Sequence, residues 1–209
     1  MRILVVDDHA IVRRGMVALL QESFKGVVVG EAENAREGVT TASGATWDLV
    51  IVDISMPGRS GLEMIEELKA VVPALPVLVM SSHSERDYAL RALKSGAAGY
   101  VSKQSAADTL VAAVTRVLAG RRYISPLVAE QLAGALSGDA PGTSHETLSN
   151  RELQVLQLIA TGKTIKEISA ELALSEKTVA TYRSRIAEKM GLSTNVELTR
   201  YAMMHGLVV

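Results

Sequence analysis

The chain reads as two domains of different class. An α/β domain with a doubly wound parallel sheet is predicted at residues 1–120 and a small all-α domain at 147–209, joined by a linker with a short helix at 121–146. Three observations predict this. Short β-branched runs alternate with segments of helical period through residue 118. No convincing strand follows residue 147. Between the two, "SGDAPGTSHET" at 137–147 is rich in Gly, Pro, Ser, Thr and Asp and has no apolar period.

The runs "RILVV" (2–6), "VVVGE" (27–31), "DLVIVD" (48–53), "PVLVMS" (76–81) and "AGYVS" (98–102) have the composition of buried parallel strands. Between them, "AIVRRGMVALLQE" puts Ile11, Met16, Leu19 and Leu20 on one helical face. "LEMIEELKAV" and "YALRALKSG" follow the same spacing, and Gly96 closes the latter; "DTLVAAVTRVLAG" ends at Gly120. Five strand–helix pairs in strict alternation require a parallel sheet with helices on both faces. "SPLVAEQLAGAL" predicts a linker helix with Ser125 as cap and Pro126 in its first turn. Further helices are expected near 150–161, 164–172, 176–190 and 194–205.

Hydrophobic content of 48% with 22% charged residues suits a globular chain and excludes wholesale disorder. One Trp, one Phe and five Tyr are too few for a stacking platform on single-stranded nucleic acid. The absence of Cys rules out disulfides, thiolate metal sites and a cysteine nucleophile. The first strand meets acid at residue 7, too soon for a secretory signal, and no apolar run is long enough to span a bilayer. The expectation is a cytoplasmic protein with no membrane association. Residues 1–120 carry 12 Lys and Arg against 14 Asp and Glu, whereas 147–209 carry 8 against 6. An acidic front and a mildly basic back suit a cation at one end and a polyanion at the other.

Ligands of open parallel sheets bind beyond the carboxyl ends of the strands. Asp7 and Asp8 end the first strand, Asp53 the third and Ser81 the fourth, and Lys103 follows the fifth. Each alone has a plain structural reading: a cap for the helix starting near Ala10, a turn residue, a solvated charge. All five at carboxyl ends point instead to a bound cation. Oxygen ligands without His or Cys select Mg²⁺ or Mn²⁺.

The motifs "VVDDH" (5–9), "IVDISMPGRSG" (51–61), "VMSS" (79–82) and "GYVSK" (99–103) resemble the receiver domain of bacterial response regulators, a flavodoxin-like (βα)5 fold, over roughly residues 1–118. The resemblance implies that Asp53 is the phosphoacceptor for a sensor histidine kinase. It implies Asp8, Asp53 and the main-chain carbonyl of Ser55 as metal ligands, with Asp7 acting through a bound water. It further implies that Lys103 and Ser81 stabilise the phosphoryl group and that Tyr100 swings inward as a switch. A partly buried Tyr100 packing on the sheet is the plain alternative. Ser55 and His83 occupy positions that resemble those modulating phosphoryl lifetime, although the favoured reading of His83 is an exposed helix-start residue with no specific role. Gln104 stands where many receivers have Pro.

In the C-terminal segment, Leu153, Leu156 and Ile159 mark one buried face and Ile165, Ile168 and Leu172 the next. Ser175 caps a third helix whose inward stripe is Val179, Tyr182, Ile186 and Met190. Its other side offers Lys177, Ala180, Thr181 and Ser184, with Arg183 and Arg185 at the margins. A helix, a short turn and a basic helix with a small-residue face suit the major groove of double-stranded DNA; a small protein-binding domain is the plain alternative. "LSNRELQVLQLIATGKTIKEIS", "LSEKTVATYRSRIAEKMG" and "NVELTRYAM" resemble the helix-turn-helix effector of NarL/FixJ-type regulators and LuxR, and "TVATYRSR" the BvgA/EvgA-like branch. By that resemblance Ala180, Thr181 and Ser184 face bases, Lys166, Lys177 and Thr178 face phosphates, and Arg183 and Arg185 reach phosphate or guanine.

Together these readings predict a phosphorylation-controlled, DNA-binding transcription regulator that pairs as a homodimer, and not an enzyme. An aspartyl-nucleophile phosphatase is the rival from another class, but such folds place a carboxylate two residues after the nucleophile, where Ser55 stands.

Overall fold

The computed structural model describes residues 1–82, 85–105, 107–137 and 144–208. His83 and the central part of the expected linker, 138–143, lie outside the described residues. The chain divides into two compact units, Met1–Ala133 and Gly134–Val209.

In the first unit, strands β1 (Arg2–Val6), β2 (Val28–Ala32), β3 (Leu49–Val52), β4 (Val77–Ser81) and β5 (Gly99–Ser102) form one parallel sheet in the order β2-β1-β3-β4-β5. Helices α1 (Ala10–Ser23), α2 (Ala35–Gly44), α3 (Gly61–Val71), α4 (Glu85–Lys94) and α5 (Ala107–Leu118) alternate with the strands. Helices α1 and α5 pack together over Ile3, Val5, Ile51, Leu78 and Val101, while α2, α3 and α4 share the opposite face. Both faces are covered, so the strands carry unbroken apolar runs: Ile3–Val6 and Leu49–Val52 are fully buried.

The α1 face differs from its expected form. Met16 and Leu20 are buried, but Ile11 is 88% exposed and Arg13, only 6% exposed, turns inward instead. Arg13 is tolerated there because its guanidinium is paired: Nε to Glu31 at 3.0 Å and an Nη to Glu33 at 2.8 Å. Helix α2 was implied by the alternation but has no strong apolar period of its own; its buried residues are Ala35, Gly38 and Ala42. Small residues let it approach closely, since a Cβ at Gly38 would meet Met64 and Val6.

Helix α6 (Pro126–Ser137) begins after Ser125, whose Oγ accepts from Val128 N at 3.3 Å. The second unit contains a short 3-10 helix (Ser144–Thr147) and helices α7 (Asn150–Ala160), α8 (Ile165–Glu171), α9 (Glu176–Met190) and α10 (Asn195–Met204). Capping boxes start α7, α8 and α10, at Ser149, Thr164 and Thr194. The core contains Leu153, Leu156, Ile159, Ile168, Val179, Ile186 and Leu198, all nearly inaccessible. No helix among the described residues is long and apolar enough to cross a membrane.

Candidate functional site

Parallel register brings the acidic residues together. Val6 is paired with Val52 across β1 and β3, so the next residue of each strand, Asp7 and Asp53, emerges at the same edge. The main chain continues the ladder there: Asp53 N donates to Val6 O at 2.9 Å and Asp7 N to Ala32 O at 3.2 Å. Lys103 N likewise donates to Ser81 O at 2.8 Å, placing the β5 exit beside that of β4.

Both carboxylates are buried, Asp7 fully and Asp53 at 2% exposure. Lys103 Nζ lies 2.7 Å from Asp53 Oδ2 and 2.7 Å from Asp7 Oδ2. It donates a hydrogen bond to Asp53, while its contact with Asp7 is an ion pair. Burial opposes the Lys103 charge, but the contacts with Asp53 and then Asp7 outweigh it and raise its pKa. Lys103 therefore stays cationic and supplies one positive charge among three carboxylates.

One cation is not enough for this cluster. Asp8 Oδ1 is buried without a hydrogen-bond partner, and the buried Asp7 Oδ2 is met by the Lys103 ion pair that Asp53 shares. Ligand atoms of Asp7, Asp8, His9 and Asp53 all lie within 4.8 Å of one another. Hard carboxylate oxygens at that spacing fit a small divalent cation of the Mg²⁺ or Mn²⁺ kind. His9 is a neighbour that sequence reasoning left out: its Nδ1 is 3.1 Å from Asp8 Oδ1 and 3.4 Å from Asp7 Oδ1. The aspartates do not cap α1. His9 is the N-cap residue and makes no side-chain cap bond, and Asp7 Oδ1 instead accepts from His9 N at 2.8 Å.

Two further features shape the pocket. Arg13 donates to the main-chain carbonyl of Asp7 at 2.7 Å, tying α1 to the β1 exit. Gly61 opens α3 against the exit of β3: a Cβ there would stand 2.1 Å from the Asp53 carbonyl oxygen. Neither role is legible in sequence, because both are contacts with backbone. Ser55 N donates to Asp53 Oδ1 at 3.1 Å, and Ser55 Oγ is buried without a hydrogen-bond partner. Ser81 is inaccessible and Tyr100, at 2% exposure, is buried.

In the second unit, α8 and α9 are joined by a tight turn in which Ala173 adopts φ 51°. Lys166, Lys177, Thr181, Ser184 and Arg185 are exposed, and Thr178, Ala180 and Arg183 half-buried. Thr181 Oγ1 and Ser184 Oγ donate to the carbonyls of Lys177 and Ala180, which leaves their lone pairs outward. Arg183 is the exception among these eight residues: its Nε donates to Asn195 Oδ1 at 2.9 Å and an Nη to Ser193 O at 3.1 Å.

An acidic pocket on a doubly wound sheet, followed by a helix-turn-helix, defines a signalling regulator with separate input and output domains. Residues 3–115 match the response regulator receiver domain, and residues 146–202 match the bacterial regulatory proteins of the luxR family. Response regulator GacA of Pseudomonas protegens is 39% identical over 207 residues, covering 99% of this chain and 97% of that one. Response regulator UvrY of Escherichia coli (strain K12) is 37% identical over 207 residues, covering 98% and 94%. RcsB from Salmonella enterica serovar Typhimurium, solved bound to promoter rprA with the phosphomimetic BeF3-, aligns with a TM-score of 0.70 at 28% identity, covering 96% and 97%. The chain belongs to the response regulators, with a receiver domain followed by a luxR-type DNA-binding domain.

Proposed function

We propose that Asp53 accepts a phosphoryl group from the phosphohistidine of a sensor histidine kinase, and that this event controls binding of double-stranded DNA by residues 147–209. The observation that carries the reading is the gathering of Asp7, Asp8 and Asp53 at one strand edge, with Lys103 paired to Asp7 and Asp53 and the buried Asp8 Oδ1 without a hydrogen-bond partner. Asp53 is the nucleophile: a carboxylate oxygen attacks phosphorus, the P–N bond to the kinase histidine breaks, the imidazole leaves and takes up a proton, and the product is an acyl phosphate. Asp8, Asp53 and the Ser55 carbonyl would hold Mg²⁺ or Mn²⁺, with Asp7 reaching it through water; the ion supplies positive charge to the phosphoryl oxygens. Lys103 Nζ, already 2.7 Å from Asp53 Oδ2, serves another of those oxygens, and the Ser81 hydroxyl a third. Ser81 and Tyr100 carry the change to the receiver surface, a shift between two discrete states.

At the output end, Ala180, Thr181 and Ser184 face base edges, Lys166, Lys177 and Thr178 serve phosphates, and Arg185 reaches phosphate or guanine. One short helix reads few bases, so two copies pair to place two helices on successive half-sites. The setting is the cytoplasm. The test uses acetyl phosphate and Mg²⁺ followed by intact-mass measurement. Wild type gains one phosphoryl group and Asp53→Ala none; equal gain by both proteins refutes the acceptor assignment.

A further inference from the structure

The sequence places Arg183 among the DNA-contacting residues of α9, but its hydrogen bonds lie elsewhere. Its Nε and one Nη bind Asn195 Oδ1 and Ser193 O, in the turn that opens α10. At 3.6 residues per turn, Arg183 sits roughly 100° around the helix from the Ala180–Thr181–Ser184 face. It lies next to the buried stripe that ends at Met190. The turn it grips is already ordered: Glu197 accepts from Ser193 N at 2.9 Å and from Thr194 N at 2.8 Å. A fork of fixed geometry spanning ten and twelve residues is a strut between two helices.

We propose that Arg183 is a positioning residue, not a phosphate or base contact: it locks α9 to the first turn of α10, so that the DNA-reading helix is presented at a fixed angle. This rests on the DNA-binding reading above and assigns one of its residues an indirect part. The strut also ties α9 to a helix whose outer face carries exposed Val196, Met203 and Met204.

The test uses the full chain, treated with acetyl phosphate, and a duplex selected from random-sequence DNA with the wild-type protein. A residue touching phosphate contributes about 0.9 to the slope of log affinity against log salt. Arg183→Gln is expected to weaken binding about fivefold with the salt slope unchanged. Arg183→Lys, which keeps the charge but loses the fork, should fall equally. Asn195→Ala should reproduce part of the loss, and combining it with Arg183→Gln should add nothing beyond the larger single effect. A slope that drops by about one, full activity of Arg183→Lys, or additive losses overturns the proposal. Amide exchange at 193–198 in the free protein provides a second reading. Faster exchange in Arg183→Gln supports the strut even if the wild type selects no DNA, an outcome that would defeat the DNA-binding reading alone. Unchanged exchange overturns the strut.

Discussion

Residue by residue, the receiver pocket is a problem of charge balance. Lys103 lies 2.7 Å from each of two buried carboxylates, and it is the cation that the structure provides for them. Its raised pKa means that its stabilising effect is complete below the unfolded value of 10.5 and is lost only as pH rises through the higher folded value. Removing it should leave the three aspartates dependent on a divalent ion. Lys103→Ala is expected to show a steeper rise of thermal midpoint with added Mg²⁺ than wild type, measured by calorimetry, and slower labelling by acetyl phosphate. Gly61 acts by leaving space. A methyl group 2.1 Å from the Asp53 carbonyl oxygen forces α3 away from the β3 exit. Gly61→Ala should cost about 1–3 kcal/mol in urea denaturation and slow labelling as well.

The elements show where local chemistry decides and where it does not. Helices α7, α8 and α10 announce themselves through Ser or Thr followed three residues later by Glu, and the capping boxes form as that spacing requires. In α7 the box is reinforced, since Glu152, 3% exposed, also binds Lys189 of α9 at 2.6 Å. Burial raises the Glu152 pKa, but Lys189 and Ser149 outweigh it and the net shift is downward. The stabilisation is therefore present above the unfolded value of 4.5 and fades as pH falls through the lower folded value. Glu152→Gln should lose about 1–2 kcal/mol at neutral pH, with the gap to wild type closing in strongly acidic buffer. The turn between α8 and α9 carries a local conflict, with Ala173 at φ 51°, a region that favours glycine. Ala173→Gly should raise stability by about 0.5 kcal/mol or more, read from the melting midpoint. Helix α2 is the counter-example: without a long apolar stripe, its position follows from the alternation of elements and from close contact at Gly38.

For the whole molecule, the prediction links the two units by function alone. Acetyl phosphate should tighten binding of the full chain to its selected duplex, and Asp53→Ala should remove that gain while keeping the unphosphorylated affinity, as measured by titration at fixed salt. The class of the protein, its order of elements and most of its pocket were determined by sequence alone, because strand ends, caps and apolar period are local signals. Aspartates at strand termini must converge once the strands are parallel and in register. Other features were decided only by tertiary structure: Arg13 turned inward while Ile11 faced solvent, His9 joined the carboxylates, Gly61 made room for Asp53, and Arg183 bound a turn twelve residues away. Each depends on which backbone or side chain lies opposite in space, and that neighbour is set by packing rather than by adjacency along the chain.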